Sequence, residues 1–377
     1  MNISELRAQC AHDLLANVER AAGMTAFVGL DGFVDEILHA VDKRENAEVF
    51  TRLPTIAKLA ERLAAAAGKS TNLELVCQMK KLGGNGPIMA NALASFGVKV
   101  TYLGLLGYPN LHPVFEDFAR RAEVYSIADP GTTDALEFDD GKVMIGKHIS
   151  LKQMTWENVQ ARMGREKFSA KFCGSDLVGF VNWTMLPYMS DLWEAILGEV
   201  CPSINGQRRI LFFDLADPEK RTRDDIVRAL ELIDRFQNHF EVILGLNEKE
   251  AHEIGEVFGL RPKNSSSASL AEFCQQIAAK LKVGTLVVHP VTYALAVSGQ
   301  KVDLVGGPFV AKPLITTGAG DHFNSGFCLG KLLGLNNQMS VLTGVTTSGH
   351  YVRTGHSPSI VELSNMLKDP ATSYANP

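Results

Sequence analysis

The stretch Thr316-Thr317-Gly318-Ala319-Gly320-Asp321-His322 decides how this chain is read. An apolar run, Phe309 to Ile315, precedes it, and a helix-like stretch, Phe323 to Leu333, follows. Small residues at a helix start leave several backbone N–H groups free. Those groups and the helix dipole both favour negative charge, so the segment predicts a phosphate-binding nest. A carboxylate beside such a nest repels phosphate unless it takes a proton from the group that attacks it. The pattern therefore points to phosphoryl transfer onto a hydroxyl, with Asp321 as base. Taken alone, the same residues also read as a Gly-rich strand-to-helix turn with Asp321 as its N-cap.

Upstream of this segment, strands and helices alternate. Strands are expected at 177–181, 210–214, 242–246 and 285–289, with helices near 190–200, 222–237 and 269–281 between them. That alternation predicts a mostly parallel sheet covered by helices on both faces. Nearer the start, residues 4–22 have the spacing of one amphipathic helix, and Ala26 to Leu30 reads as a buried strand that ends in Asp31-Gly32-Phe33-Val34-Asp35. An Ala-rich helix is expected over 54–67. Gly83-Gly84-Asn85-Gly86-Pro87 then leads into a helix from Ile88 to Phe96, and a strand from Val98 to Leu106 follows. Residues 132–151 differ from their neighbours and read as a hairpin turning at Asp140-Gly141. No linker divides the chain, so one large α/β domain over 1–377 with a small β appendage is expected.

Composition sets the outer limits. The 377 residues are 46% hydrophobic and 21% charged, with a formal net charge of -5. This is ordinary globular composition without the basic footprint of a nucleic-acid binder. The six cysteines stand far apart with no Cys-x-x-Cys pair, so reduced thiols and a cytoplasmic location are expected. No apolar run is long enough to span a bilayer, and charges interrupt the N-terminal segment where a signal peptide would need an apolar core.

Three segments, in order, resemble the motifs of the ribokinase-like (PfkB) carbohydrate kinases. The first is Gly83-Gly84-Asn85-Gly86-Pro87, similar to the family's Gly-Gly motif against the sugar. The second is Leu246-Asn247-Glu248-Lys249-Glu250, similar to its Asn-x-x-Glu motif near magnesium and the phosphates. The third is Thr316 to Asp321, continued by Phe323-Asn324-Ser325-Gly326-Phe327. The resemblance implies a Rossmann-like three-layer α/β core with a mostly parallel sheet. It also implies a β lid from residues near 36–45, 73–82 and 132–150. ATP and Mg2+ would be the cofactors, a monovalent cation is compatible, and the acceptor would be a sugar or a nucleoside.

The same resemblance distributes roles along the chain. Asp321 would be the base. Thr316, Thr317, Gly318, Ala319 and Gly320 would form the anion hole and, with Asn247, bind nucleotide. Glu250 and Asn247 would act on magnesium. Asp35 first, and Asp31 second, would hold sugar hydroxyls, with Gly84 and Asn85 beside them. Lys80 and Lys81 read as a solvated lid pair, or as partners of a substrate phosphate. A non-catalytic sugar-binding regulator on the same fold is the alternative of a different class.

Several positions depart from the family pattern. Ile315 stands where an Asp is usual and Ile88 where an Asn is usual. His289-Pro290-Val291-Thr292-Tyr293-Ala294 lacks the usual Gly of the nucleotide turn, and the span from Asp35 to Gly83 is long. The hairpin's Leu136, Phe138, Val143 and Ile145 form too small a unit to stand alone, so a homodimer through the lid is expected.

Overall fold

Nine strands form the central sheet of the computed structural model, which describes residues 2–204, 206 and 208–375. In spatial order they are Lys301–Gly306, Tyr293–Ser298, Thr285–Val288, Phe240–Leu246, Arg209–Asp214, Leu177–Phe180, Thr25–Gly29, Lys99–Gly104 and Ala122–Ser126. Neighbours are parallel except at one edge, where the hairpin of Tyr293–Ser298 and Lys301–Gly306 runs antiparallel. The chain enters at Thr25–Gly29, the third strand from one edge, fills the two places on that side, then returns and fills the other six. Its direction reverses between Thr25–Gly29 and Leu177–Phe180. Open α/β sheets bind ligands outside the strands' C-terminal ends at such a reversal.

The middle strands are apolar on both faces because helices cover both. Phe27 points into one core with Phe168, Phe172, Trp193 and Phe236. Val28, next along the strand, points into the other with Met89, Leu93, Phe327 and Leu342. The three-layer α/β architecture expected from the alternation is present, with helices Met189–Glu199, Arg223–Phe236 and Ser267–Leu281 in their expected places. Among the described residues, no helix is long and apolar enough to cross a membrane.

Some local expectations need correction. The N-terminal helix is two, Ile3–Ala16 and Val18–Gly23. Asn17 separates them, its side-chain amide donating to the Asp13 carbonyl at 2.8 Å, the kind of local bond that competes with helix continuation. The hairpin turns one residue early, at Asp139-Asp140, because Gly141 already pairs with Phe138. The apolar run before Thr316 is no strand. It is a loop in which Phe309 and Leu314 are exposed, so helix Ala319–Leu332 is entered from a loop. The antiparallel edge hairpin at 293–306 was not expected, since the residue alternation there is masked by burial of Ala294, Leu295, Ala296 and Val297 together.

A second, five-stranded sheet sits over the C-terminal ends of the central strands. Phe33–Arg44 lies at its centre, flanked by Leu75–Gly83 and Gly131–Phe138, with Gly141–Lys147 outside and Phe50–Arg52 on its far half. Leu38, Ala40, Leu136 and Phe138 of one face pack against Leu53, Leu59 and Ile56. The long span after Asp35 thus supplies helix Ile56–Ala65, whose apolar stripe covers the lid from behind. Leu136 and Phe138 are accordingly buried within this chain, while Ile145 remains exposed. The opposite face carries Asp35, which pairs in register with Lys81 on one side and Thr133 on the other.

Candidate active site

Consecutive strands each deliver one polar residue to a cavity of about 460 Å³ at the reversal point. Asn182 follows strand Leu177–Phe180, Asp214 ends Arg209–Asp214, Asn247 follows Phe240–Leu246 and His289 follows Thr285–Val288. The lid closes the cavity from above with Phe33, Asp35, Thr133, Met144 and Gly146. Gly84, Asn85, Gly318, Gly320, Asp321 and Glu250 also line the wall, with Asp217 and Lys220 at its side. Three segments far apart in sequence therefore meet in one place.

Asp321 occupies the first turn of helix Ala319–Leu332, whose N-cap Gly318 is left-handed at φ 91°. A Cβ there would be strained, and 3.3 Å from the Tyr351 hydroxyl, so glycine is required. The Ala319 N–H is taken by the Thr316 carbonyl at 3.1 Å and the His322 N–H by the Gly318 carbonyl at 3.1 Å. Gly320 lies where intrahelical acceptors run out, so its amide can face a ligand, whereas the Asp321 amide meets its own carboxylate. Burial raises the Asp321 carboxyl to about 8, with the charges of Asp31 and Glu250 adding to the rise and a hydrogen bond opposing it. That bond comes from Asn85, whose side-chain amide donates to Asp321 Oδ1 at 2.9 Å. Asn85 thus ties the Gly-Gly segment to the candidate base.

His322 braces the helix start from behind. Its ring stacks on Tyr351 at 3.6 Å, and burial lowers it to about 4, so it is neutral. A carbonyl only accepts, so Nδ1–H donates to Gly318 O at 2.7 Å, and Nε2 accepts from Ser357 Oγ at 2.9 Å. The Tyr351 hydroxyl donates to the Thr317 carbonyl at 3.0 Å.

The two N-terminal acids separate clearly. Asp35 lines the cavity from the lid. Burial raises its pKa, opposed by the neighbouring Lys81 charge and a hydrogen bond from Thr133. Asp31 is wholly buried and accepts from protein donors: the amides of Asn85 (3.0 Å) and Gly86 (2.9 Å) and the side chain of Asn182 (2.6 Å). The Tyr102 hydroxyl, which donates to the Asp31 carbonyl at 2.8 Å, sits close by. Asp31 therefore holds the left-handed Gly84 (φ 95°) and the helix that follows it in place. Lys80 pairs with Glu36 at 2.7 Å, while Lys81 faces the same side as Asp35.

Asn247 and Glu250 form a reciprocal cap on helix Glu248–Val257. Asn247 Oδ1 accepts from Glu250 N at 2.9 Å and Glu250 Oε2 accepts from Asn247 N at 2.9 Å. Glu250 Oε1 accepts from Asp217 N at 2.9 Å. Both carboxylate oxygens are engaged with backbone, so this carboxylate is rigidly aimed. Asp214 is the acid that motif reading missed. Burial, then the charges of Glu250 and Asp321, push it well above the usual carboxylate range, and Asn324 donates to it at 2.7 Å. Asn182, Ala216 and Asp217 all have left-handed backbones at φ 54–60°, strain concentrated around the cavity. Their positions after strand ends were the available signal.

A second cavity, of about 360 Å³, adjoins the first and shares Asn247, His289 and Gly320 with it. It is mostly apolar, lined by Pro290, Val291, Tyr293, Pro308, Phe309 and Val345 among others. Arg353 braces its rim by donating to the carbonyls of Pro308 (2.8 Å) and Phe309 (2.9 Å). His289 packs on Phe323 at 4.7 Å, and burial lowers it to about 4. The glycine-free turn thus places a neutral imidazole between the two cavities.

Comparisons with known proteins agree with this geometry. Residues 3–369 match the family model described as prokaryotic ketohexokinase. A ketohexokinase of Haloferax volcanii is 29% identical over 347 residues, which are 92% of this chain and 91% of the relative. Among solved structures, a carbohydrate kinase from Agrobacterium tumefaciens superimposes with TM-score 0.63 at 18% identity, over 91% of this chain and 97% of its own. Arabidopsis thaliana ribokinase, solved with ribose and ATP, gives TM-score 0.62 at 14% identity, over 92% and 99%. The structural likenesses establish the ribokinase-like fold. The family match along nearly the whole chain goes further: this protein belongs to the prokaryotic ketohexokinase family and is a carbohydrate kinase.

Proposed function

We propose that the chain transfers the terminal phosphoryl group of ATP to a hydroxyl of a ketohexose, with Asp321 as base. The observation that carries this is the placement of Asp321. It is buried at a helix start, held by Asn85, and lines the polar cavity under the lid next to Gly320, which also lines the apolar cavity beside it. The sugar would lie under the lid, its hydroxyls on Asp35 and Asn85. Asn182 Oδ1, buried without a hydrogen-bond partner, offers a further acceptor there. The nucleotide's base would lie in the apolar cavity, with its phosphates directed at the amides of Gly318 and Gly320 and the Thr316-Thr317 segment before them. Asp31 would position the Gly84-Asn85 segment. ADP release measured against ketohexoses, aldoses and nucleosides tests this reading. Turnover on ketohexoses is expected, and turnover confined to nucleosides, or none, would overturn it.

The cavity's charge supports a divalent cation. Five carboxylates, Asp35, Asp214, Asp217, Glu250 and Asp321, face it with one lysine, Lys220, which already pairs with Asp217 at 2.9 Å. A triphosphate entering such a wall needs its charge offset. Magnesium keeps several waters and uses few protein carboxylates, which suits Glu250, Asn247 and Asp214 acting largely through water. Bound there, the ion would neutralise the phosphate oxygens. Glu250→Gln is therefore expected to raise the magnesium concentration giving half-maximal rate by about 10-fold, since outer partners of a cation matter to this extent. An unchanged magnesium curve would count against the assignment.

The lid is proposed to close over bound sugar and to join a second subunit. Ile37 pairs with both Met79 and Ala135, and Ala135 with Met144, so these apolar residues share the uncovered face. Met79 and Met144 are about half exposed, at 53% and 49%. Replacing both with Ser is expected to halve the mass in solution and raise the acceptor KM. A wild-type protein that sediments as a monomer would remove the dimer from the proposal.

A further inference from the structure

Outside the active site, His350, His356 and Glu362 bring one ligand-capable atom each to within 4.8 Å of one another. We propose that these three side chains bind a divalent transition metal of the zinc class. The proposal is independent of which substrate the kinase accepts.

The geometry is that of a nearly assembled centre. His350 sits in the last turn of helix Asn337–Thr354, His356 in the loop that follows, and Glu362 in the first turn of helix Ile360–Lys368. His356 Nε2 and Glu362 Oε1 are 3.6 Å apart. Two ligands on a tetrahedral ion at about 2.0–2.1 Å are separated by roughly 3.4 Å, so only a small approach is needed. The two imidazole rings meet edge to face with centroids 5.2 Å apart.

The side chains are held by the backbone that carries them. Glu362 Oε2 accepts from Ser359 N and Ser359 Oγ, both at 2.7 Å, which fixes the carboxylate and leaves Oε1 turned toward His356. Gly355, left-handed at φ 78°, closes the preceding helix and sets the turn. Thr354 Oγ1 lies 3.3 Å from His350 Nδ1, the kind of neighbour that orients a ligating ring through its other nitrogen.

The donor set selects the class of ion. Two imidazole nitrogens and one carboxylate oxygen suit zinc, cobalt or nickel, whereas calcium and magnesium take oxygen ligands. The His356 side chain is 59% exposed, so an ion can enter from solvent and keep water in its fourth position. The site is distinct from the phosphate nest but adjoins its support. Ser357, next to His356, is the residue whose hydroxyl meets His322 Nε2 at 2.9 Å. An ion here would cross-link the two helices through the turn that carries Ser357.

The test is metal titration of the full chain after chelator treatment, using zinc and, in parallel, cobalt. One equivalent is expected to bind at micromolar free metal or below. The cobalt form should show the visible absorption of a four-coordinate nitrogen and oxygen site without a thiolate band. His356→Ala and Glu362→Gln are each expected to weaken binding by about 10-fold or more, and the double variant to abolish it. Glutamine keeps the helix-capping contact and His356 is exposed, so both variants should fold, as circular dichroism can verify. Absence of binding to the wild type would overturn the proposal. So would an affinity unchanged in the double variant, which would place the metal on cysteines or on the active-site carboxylates.

Discussion

Asp321→Asn is expected to lower kcat by about 100-fold or more while leaving nucleotide affinity within a few-fold, the range set by loss of a side-chain base. The substitution keeps the volume and an oxygen for the contact with Asn85 and removes the proposed proton acceptor. It also removes a charge that burial penalises. A carboxyl whose folded pKa is raised from 3.8 to about 8 costs stability as pH rises from its unfolded value toward 8. The variant should therefore melt no lower than wild type at neutral pH, which separates a chemical defect from misfolding. The wild-type pH profile follows from the same shift. A base must be deprotonated, so kcat/KM should fall as pH drops from about 8, with the limb moving lower when cation is bound. Near-normal turnover in a folded Asp321→Asn protein would remove Asp321 as the base.

The second large effect belongs to Asp31. Asp31→Ala is expected to destabilise the protein by about 3 kcal/mol or more, because several buried donors lose their acceptor at once. The amides of Asn85 and Gly86 and the side chain of Asn182 would be left unpaired. Activity should fall with stability, since the Gly84-Asn85 segment that orients Asp321 loses its anchor. An Asp31→Ala protein with wild-type melting temperature and a raised sugar KM would instead make Asp31 a direct sugar contact. Asp35→Ala serves as the comparison. Its side chain lines the cavity, so its expected signature is a raised acceptor KM with little change in melting.

Contiguous chemistry was legible in the sequence. The helix start at 318–321 and the Gly83–Pro87 turn each depend on neighbours within a few residues, so local backbone rules suffice to find them. The same rules would find the cap formed by Asn247 and Glu250, to which the motif reading gave only a magnesium and nucleotide role. The alternation of strands and helices after residue 177 was legible for the same reason, since apolar runs of strand length recur between helical periods. The antiparallel edge at 293–306 was not, because a strand buried on both faces loses the two-residue alternation that would mark it.

Tertiary structure alone decided which polar residues share the site. Asn182, Asp214 and His289 have no motif around them. They meet because successive parallel strands end at one level where the chain reverses across the sheet. It also divided the labour of two acids four positions apart. Asp31 ends below the sheet's rim among protein donors, while Asp35 has already passed into the lid and faces the cavity. The cover over the lid's back was decided in the same way. Helix Ile56–Ala65 reads in sequence as any amphipathic helix, and only the packing of Leu59 against Leu38, Leu136 and Phe138 shows what it buries. Periodicity states that a face is apolar. What it packs against depends on contacts between distant segments, which a single sequence does not carry.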